Sequence, residues 1–207
     1  VEAGRQAGYP VTDDYNGHQQ EGFGPYDTTV WQGERFSAAK AYLRPALKRE
    51  NCDLVRAFAR RVVVEEGRAV GVEVERGGKI EVIRAEAEVI LAASSLNSPK
   101  LLMLSGIGPA AHLAEHGIEV VADRPGVGQN LQDHLDFTQG WTTRDTDNFG
   151  LGVVGGLRLL GQLLPWKRHG EGLIATPFAE GAAFLKTRPE LERPDIQLHF
   201  CIAIVDD

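Results

Sequence analysis

Apolar and polar residues alternate with a period of two along much of residues 53–93, and this pattern predicts β-strands. The segment 70–75 places valine at every second position. Gly77-Gly78 follows as a hairpin-turn signal, and residues 80–82 repeat the alternation on the return strand. Together with the short apolar run 62–64, the pattern predicts a β-meander.

A continuous apolar run, residues 89–93, comes directly after the meander. Unbroken apolar character is typical of a strand that is buried on both faces. We therefore predict that a buried strand follows the meander.

The first quarter of the chain changes character near residue 37. Residues 1–34 are rich in Gly, Tyr, Asp and Gln with little periodicity, and they predict long loops. Residues 37–49 carry apolar positions at helical spacing, with Ser37 as a plausible N-cap. Pro45 lies inside this run and is expected to bend or shorten the helix.

Residues 98–117 predict a helix in two pieces. Ser98-Pro99 is the predicted start of the first piece, since proline is favoured at the first helical position. Gly106 ends that piece, Pro109 starts the second, and Gly117 is expected to cap it.

Three further strands are predicted at residues 118–121, 135–143 and 195–205, and Cys201 in the last of them is predicted to be a small core residue. The run 149–164 is apolar and rich in glycine, but it is too short to cross a membrane and contains Arg158. We interpret it as a buried helix or loop of a region that covers the substrate. Contact with a membrane surface is the alternative interpretation.

Composition and charge exclude several classes of protein. With 43% hydrophobic and 25% charged residues, the chain is a folded globular protein. The net charge of −7 gives no basic face for nucleic acid and no attraction to anionic lipid for the chain as a whole. Cys52 and Cys201 stand far apart with no Cys/His cluster, which favours a reducing compartment over a disulfide scaffold.

Two short motifs have the spacing of chemical sites, and we interpret both as structural. His112–His116 reads H-x-x-E-H, the spacing of an inverted zinc peptidase site, but Gly117 follows at once and leaves too short a helix. We therefore place His116 at a helix C-terminus. Residues 125–130 contain G-x-G without the third glycine of a dinucleotide fingerprint, and they are interpreted as a tight turn. The sequence contains no nucleophile-elbow or P-loop motif.

The most informative stretch runs from Ser94 to Gly108. It combines the end of a predicted strand, a polar turn, a helix and a Gly-x-Gly stop. Ligands of α/β folds bind outside the carboxyl ends of such strands. This makes the stretch a candidate cofactor site.

The same stretch resembles the second signature of the glucose–methanol–choline (GMC) family of FAD-dependent oxidoreductases at every restricted position. It is most similar to the choline dehydrogenase-like and alcohol dehydrogenase members of that family. One departure is Ser94, where members more often carry glycine. The resemblance runs nearly end to end, and its other segments are residues 6–10, 33–39, 69–74 and 125–134.

The resemblance implies FAD as the cofactor and five residues that contact it. Ala59 matches the family strand whose backbone pairs with the adenine edge. Ala93 and Ser94 match the turn that passes near the flavin nucleotide. Asp133 and His134 close the Gly-Val-Gly-Gln-Asn-Leu segment. A purely structural edge strand at Ala59 and a satisfied loop histidine at His134 are the alternatives.

The predicted fold class is α/β. Residues 35–136 resemble part of an FAD-binding, Rossmann-like domain with a β-meander. Residues 1–34 and 137–207 resemble parts of an α+β substrate domain, which in this family is interleaved with the first.

The function implied by the resemblance is FAD-dependent oxidation of a choline-like or other primary alcohol to an aldehyde. None of the six histidines matches the family's catalytic context, so no catalytic residue is assigned, and no metal is assigned. The chain begins with Val1, and we expect a piece of a longer enzyme, inactive by itself. The electron acceptor is left open between oxygen, a quinone and a dye. No transmembrane segment is predicted, and the expected location is the cytoplasm, with peripheral membrane association as an alternative.

Two other classes of function stay open. The chain could be a non-catalytic fragment or binding module. Alternatively, the parent could be a redox-neutral member of the family, such as a hydroxynitrile lyase.

Overall fold

The computed structural model describes residues 1–143 and 152–202. The chain divides into two compact units, one of residues 53–137 and one of residues 1–52 with 138–207. Helices and strands occur in both units, which confirms the predicted α/β class.

The predicted β-meander is confirmed in the unit of residues 53–137. Strands β4 (Phe58–Glu65), β5 (Arg68–Arg76) and β6 (Lys79–Arg84) form an antiparallel sheet in that order. Gly77 and Gly78 join β5 to β6 with φ values of 57° and 76°. Positive φ at both positions is what a two-residue hairpin turn of matching twist requires.

Helix α3 (Ser94–Leu104) packs against β4. The buried Ser105, just after the helix, ties the two elements together. Its Oγ accepts a hydrogen bond from the Val62 N–H at 2.8 Å and donates one to the Leu101 carbonyl at 2.6 Å. The hydroxyl therefore satisfies a strand donor and a helix acceptor that would otherwise lie buried without partners.

The predicted start of this helix at Ser98-Pro99 is wrong, because the helix begins four residues earlier, at Ser94. The Ser98 Oγ accepts a hydrogen bond from the Ala93 N–H at 3.0 Å. This bond spans the first turn of the helix, and Pro99 lies in the helix interior.

Helix α4 (Ala110–Glu115) confirms the second predicted piece and its glycine cap. Gly117 has a φ of 66°, and the Ile118 N–H donates to the Leu113 carbonyl at 2.9 Å. This geometry is the Schellman ending of a helix. His116 lies at the C-cap, as predicted.

Three predicted strands are wrong or displaced. Residues 89–93 and 135–143 form no strand, and residues 118–121 precede the short strand β8 (Ala122–Asp123), which pairs in parallel with β7 (Ile107–Gly108). A strand exists only with a hydrogen-bonding neighbour. Within the described part of the chain, no strand pairs with residues 89–93 or 135–143.

The other unit contains a three-stranded antiparallel sheet. Strand β9 (Ala179–Leu185) lies between β1 (Gly22–Pro25) and β10 (Ile196–Cys201). The predicted strand over 195–205 is confirmed up to Cys201, and residues 203–205 lie outside the described residues. The prediction that Cys201 is a core residue is wrong, since it is exposed on an outer strand of this sheet.

The prediction of loops over residues 1–34 is wrong at four short elements. These are β1 and three others, α1 (Glu2–Gln6), β2 (Val30–Trp31) and β3 (Glu34–Arg35). The residues of β1 adopt a strand because they pair with β9, which is distant in sequence. Phe23 of β1 packs so closely on α1 that a Cβ at Gly4 would lie 2.4 Å from the Phe23 ring.

The predicted helix over residues 37–49 is confirmed as a shortened and irregular one. Residues Ala39–Leu43 form a π-helical turn, and α2 (Arg44–Ala46) follows it directly. Pro45 has no N–H to continue the α-helical ladder, and its ring clashes with the carbonyl four residues earlier. The wider π turn just ahead of the proline is a way to accommodate it.

Helix α5 (Val153–His169) confirms a helix within the apolar run 149–164, of which residues 149–151 lie outside the described residues. The predicted burial is wrong, since Val153 and Leu157 are 84% and 65% exposed. The C-terminal end of α5 is anchored, because the Trp166 indole N–H donates to the Gly33 carbonyl at 2.8 Å.

Candidate functional site

The start of α3 is a strained turn. Ser94 has a φ of 74°, a left-handed conformation that side chains other than glycine rarely adopt. Ala93 precedes it as the N-cap, without a side-chain cap. Strain of this kind clusters at ligand sites, where the rest of the fold holds it in place.

We expect Ser94→Gly to raise the free energy of unfolding by about 0.5–1 kcal/mol, because glycine adopts a positive φ without the steric cost of a Cβ. The control is Ser95→Gly, one residue into the helix, which should lower the same free energy by about 0.5 kcal/mol. Both changes in free energy can be measured by unfolding the 207-residue chain in urea, with hydrogen exchange of the α3 amides as the probe. If Ser94→Gly destabilises the chain as much as Ser95→Gly does, the backbone at Ser94 is not strained.

Residues 124–130 form the tight turn predicted for the G-x-G motif. The Val127 N–H donates to the Arg124 carbonyl at 3.1 Å, and the Gln129 N–H donates to the Gly126 carbonyl at 3.2 Å. Gly128, with a φ of 80°, lies so close to α3 that an added Cβ would be 2.6 Å from the Met103 Cε. The turn therefore brings the following residues alongside the helix.

A groove of about 970 Å³ lies between α3 and the chain that leaves this turn, entirely within the unit of residues 53–137. Its helix wall is mainly apolar, and its other wall carries amide side chains. Apolar contacts together with a few polar side chains are typical of small-molecule binding sites. The lining residues are Ser95, Leu96, Pro99, Lys100, Met103, Leu104, His116, Ile118 and 128–132.

None of the five predicted cofactor residues lines the groove itself. Ser94 directly precedes the lining residue Ser95, and Asp133-His134 directly follows the lining residue Gln132. Asp133 and His134 are both exposed, and the His134 N–H donates to the Asp133 Oδ1 at 2.9 Å. The groove thus brings the chain neighbours of two predicted residues, Ser94 and Asp133, to one place, while Ala59 lies apart on β4.

The backbone of Ala59 faces the outer edge of the meander. Because the Val62 N–H donates to Ser105, it points away from β5, so Val62 and Val72 form a non-hydrogen-bonded pair. Val74 lies two residues along β5, has the same orientation, and pairs with Ala59 across a bulge. The N–H and C=O of Ala59 therefore point to an edge that no strand covers among the described residues.

Ion pairs hold the bulge beside Ala59. The Arg61 guanidinium lies 2.9 Å from the Glu73 carboxylate and, by hydrogen bonding to it, holds the pKa of Glu73 below its ordinary value. Arg60 pairs with the Glu75 carboxylate at 2.9 Å. Both pairs are exposed to solvent and link β4 to β5 beside the bulge.

The sequence analysis did not assign the residues that line the groove, although their spacing along the chain indicates a shared helix face. Leu96, Lys100 and Met103 recur at helical spacing and share one face of α3 with Pro99. Gln129, on the opposite wall, belongs to a segment that already carried the resemblance. Only the position of the helix start was needed to assign that face.

The two histidines of the H-x-x-E-H motif lie together at the groove's end. Their ring centroids are 4.8 Å apart, and the His112 Nδ1 lies 3.9 Å from the Glu115 carboxylate. Over residues 1–143 and 152–202, no group of three or more His, Cys, Asp or Glu side chains is arranged to hold a metal ion. The short helix α4 ends at Glu115, as the sequence indicated.

No helix in the part of the chain that the structure describes is long and apolar enough to cross a membrane.

Comparison with known proteins gives close relatives over nearly the whole chain. It is 58% identical over 207 residues to the oxygen-dependent choline dehydrogenase of Sinorhizobium medicae (strain WSM419), and 56% identical to that of Rhizobium meliloti (strain 1021). Each alignment covers 97% of this chain and 36% of the relative. The chain therefore spans little more than a third of the length of these relatives.

Solved structures share the fold. A variant formate oxidase of Aspergillus oryzae RIB40 aligns with a TM-score of 0.76 and 21% identity, over 98% of this chain and 39% of that one. The pyridoxine 4-oxidase of Mesorbium loti aligns with a TM-score of 0.73 and 26% identity, over 98% of this chain and 36% of that one.

The family model of GMC oxidoreductases matches residues 1–136, well over half of the chain. This match includes α3, the turn at 124–130 and all five predicted cofactor residues. The chain therefore belongs to the GMC oxidoreductase family, whose cofactor is FAD.

Proposed function

We propose that these residues form part of an enzyme that oxidises a choline-like or other primary alcohol to an aldehyde, with FAD as the hydride acceptor. The observation that carries the proposal is the groove between α3 and residues 128–132, flanked by Ser94 and Asp133. It occurs in a chain that is 58% identical to an oxygen-dependent choline dehydrogenase. The parent is thus proposed to be an oxidoreductase that acts on CH–OH donors.

The domain assignment forms part of the same proposal. Residues 35–136 are assigned to the FAD-binding domain, and residues 1–34 and 137–207 to the substrate domain.

The residues present fit FAD at two places. The outward N–H and C=O of Ala59 are a donor and an acceptor at a sheet edge, which is what the edge of an adenine base requires. The groove offers apolar contacts from Leu96, Pro99 and Met103 together with polar side chains, which suits a flavin ring and its polar chain.

Within this arrangement, Ala59 would bind the base edge, and Ala93 and Ser94 would bring backbone close to the flavin nucleotide. Asp133 and His134 would hold the chain that leaves the groove. FAD, when bound, supplies the acceptor for the substrate's hydride. The base that removes the hydroxyl proton is proposed to lie outside these 207 residues.

The proposal leaves the acceptor of the electrons open between oxygen, a quinone and a dye. It places the enzyme in the cytoplasm, which the two free cysteines favour.

The test is anaerobic addition of choline to the full-length enzyme. We expect the visible absorption of the bound flavin to bleach, and betaine aldehyde to form in proportion to the flavin. The 207-residue chain alone should turn over no alcohol. A full-length protein without FAD, or with FAD that neither choline nor a simple primary alcohol reduces, would contradict the proposal; cyanide release from a cyanohydrin by such a protein would indicate a hydroxynitrile lyase instead.

A further inference from the structure

The two histidines of the H-x-x-E-H motif have no role in the proposed function. His112 lies inside α4, and His116 lies at its C-cap. Residues four positions apart share one face of a helix, and two histidines at this spacing meet one metal ion in helical zinc sites. Over residues 1–143 and 152–202 no third side chain completes a metal-binding group, but the two histidines remain side by side.

The separation of the two rings suits a shared metal ion. Their centroids are 4.8 Å apart. An ion about 2.1 Å from an imidazole nitrogen lies roughly 3.2 Å from the centre of that ring. Two rings at neighbouring positions around the ion, about 90–109° apart, then have centres about 4.5–5.2 Å apart. The observed separation falls within this range, so binding requires no movement of the helix backbone.

Both rings are accessible from solvent. The His112 side chain is 49% exposed, and His116 is also an exposed residue. A hydrated ion can therefore reach the ring nitrogens without displacing a packed side chain. Because a surface site leaves the ion partly hydrated, it also avoids most of the desolvation cost that a buried charge would carry.

Glu115 lies where an outer partner of a metal-binding histidine is usually found. Its carboxylate is 3.9 Å from the His112 Nδ1. A negative charge there favours the imidazole tautomer with the proton on Nδ1, so that the His112 Nε2 keeps its lone pair for a metal. Metal-binding histidines almost always have a carboxylate, a carbonyl or water at their other nitrogen. The carboxylate also offsets part of the charge of a divalent cation.

The donor atoms select the class of cation. Imidazole nitrogens suit Zn²⁺, Ni²⁺ and Cu²⁺, whereas Mg²⁺ and Ca²⁺ prefer oxygen ligands. With two side chains as ligands, water fills the remaining positions around the ion. Such an ion exchanges with solvent, unlike the fully enclosed ion of a structural zinc site.

We propose that His112 and His116 form a two-histidine site for a divalent transition-metal ion on the exposed face of α4. The bound ion links the inside of the helix to its C-cap, and it therefore stabilises this six-residue helix against fraying. His116 also lines the groove between α3 and residues 128–132, so the ion stabilises that end of the groove. Metal binding here does not depend on the proposed oxidation of an alcohol.

The test is calorimetric titration of the metal-free full-length enzyme with the chlorides of Cu²⁺, Ni²⁺, Zn²⁺ and Mg²⁺. We expect Cu²⁺ to bind most tightly, Ni²⁺ and Zn²⁺ more weakly, and Mg²⁺ not at all at this site. His112→Ala should weaken Ni²⁺ binding at least about tenfold, because one of the two ligands is lost. The matched control is His18→Ala, at an exposed histidine in a turn, which should bind Ni²⁺ as the parent does.

Two further measurements locate the ion. Hydrogen exchange of the α4 peptide should slow at saturating Ni²⁺ in the parent and in His18→Ala, and it should not slow in His112→Ala or His116→Gln. The electron paramagnetic resonance spectrum with one equivalent of Cu²⁺ should show coupling to two imidazole nitrogens. After His112→Ala, that coupling should fall to one nitrogen.

Three results would overturn the proposal. One is a Ni²⁺ affinity that is the same in the parent and in His112→Ala, and another is exchange of the α4 peptide that Ni²⁺ does not slow. The third is coupling of Cu²⁺ to a single imidazole in the parent, which would indicate an adventitious ion only. The exchange measurement on the parent needs no substitution, so it decides the proposal even where a variant is unstable.

Discussion

Gly106→Ala is expected to lower the free energy of unfolding of the unit 53–137 by about 3–4 kcal/mol. Gly106 has a φ of 78°, and an added Cβ would lie 2.4 Å from the Glu119 carbonyl oxygen and 2.8 Å from the Val121 side chain. Its own carbonyl accepts the N–H groups of Val121 and Ala122, so the backbone cannot retreat without losing both bonds. The cost combines a left-handed alanine with overpacking.

The control for this prediction is Gly67→Ala in the β4–β5 turn. Gly67 has nearly the same φ, 77°, but nothing lies within 4 Å of an added Cβ. It should cost only about 1–2 kcal/mol. All Trp and Tyr residues lie outside residues 53–137, so their fluorescence does not report unfolding of this unit. Hydrogen exchange of the peptides from α3 to β8 is therefore the suitable measurement. If Gly106→Ala and Gly67→Ala lower the free energy of unfolding equally, Gly106 is not closely packed against residues 119–121.

Ala59→Pro is expected to weaken FAD binding by the full-length enzyme about two- to tenfold. Proline removes the outward N–H of Ala59, one hydrogen bond in the proposed adenine contact, and one such bond contributes roughly 0.5–1.5 kcal/mol. An edge strand tolerates proline where the N–H points away from its neighbour, so the ladder to β5 should persist. Flavin release on dilution, followed by fluorescence, measures the affinity.

Two controls separate a lost contact from a damaged sheet. Ala59→Ser keeps the N–H and should retain FAD affinity. Val82→Pro removes an outward N–H at the opposite edge, since Val82 pairs with Glu73, whose backbone faces β4. If Val82→Pro releases FAD as readily as Ala59→Pro, the loss is one of sheet stability and Ala59 has no contact of its own.

The elements predicted well are those whose signal is local. Gly77-Gly78 between two alternating runs predicts a hairpin, and Gly117 predicts the end of α4. All three glycines adopt the positive φ that their turns need. The helix start at Ser94 escaped prediction, because it involves a left-handed serine and a hydrogen bond from the Ala93 N–H to the Ser98 Oγ, whereas proline at a first helical position is the common pattern.

The candidate site was predicted only at its margins. The resemblance pointed to Ser94 and Asp133, and the groove opens between their neighbours. The face of α3 that forms its wall depended on the helix start, and the orientation of Ala59 depended on a bulge and on a bond from Ser105. The face of α3 and the orientation of Ala59 depend on contacts between segments that are distant in sequence, and local residue patterns do not predict those contacts.

The sequence by itself determined the α/β class, the meander, the capped helix α4 and membership of an FAD-dependent family, because turn chemistry, periodicity and a long signature are properties of neighbouring residues. The tertiary structure alone decided that residues 89–93 find no strand partner among the described residues, that Ser94 is left-handed, and that Val153 and Leu157 of α5 are exposed. An apolar pattern states which side of an element avoids water, whereas what lies against that side is set by chain segments far away in sequence.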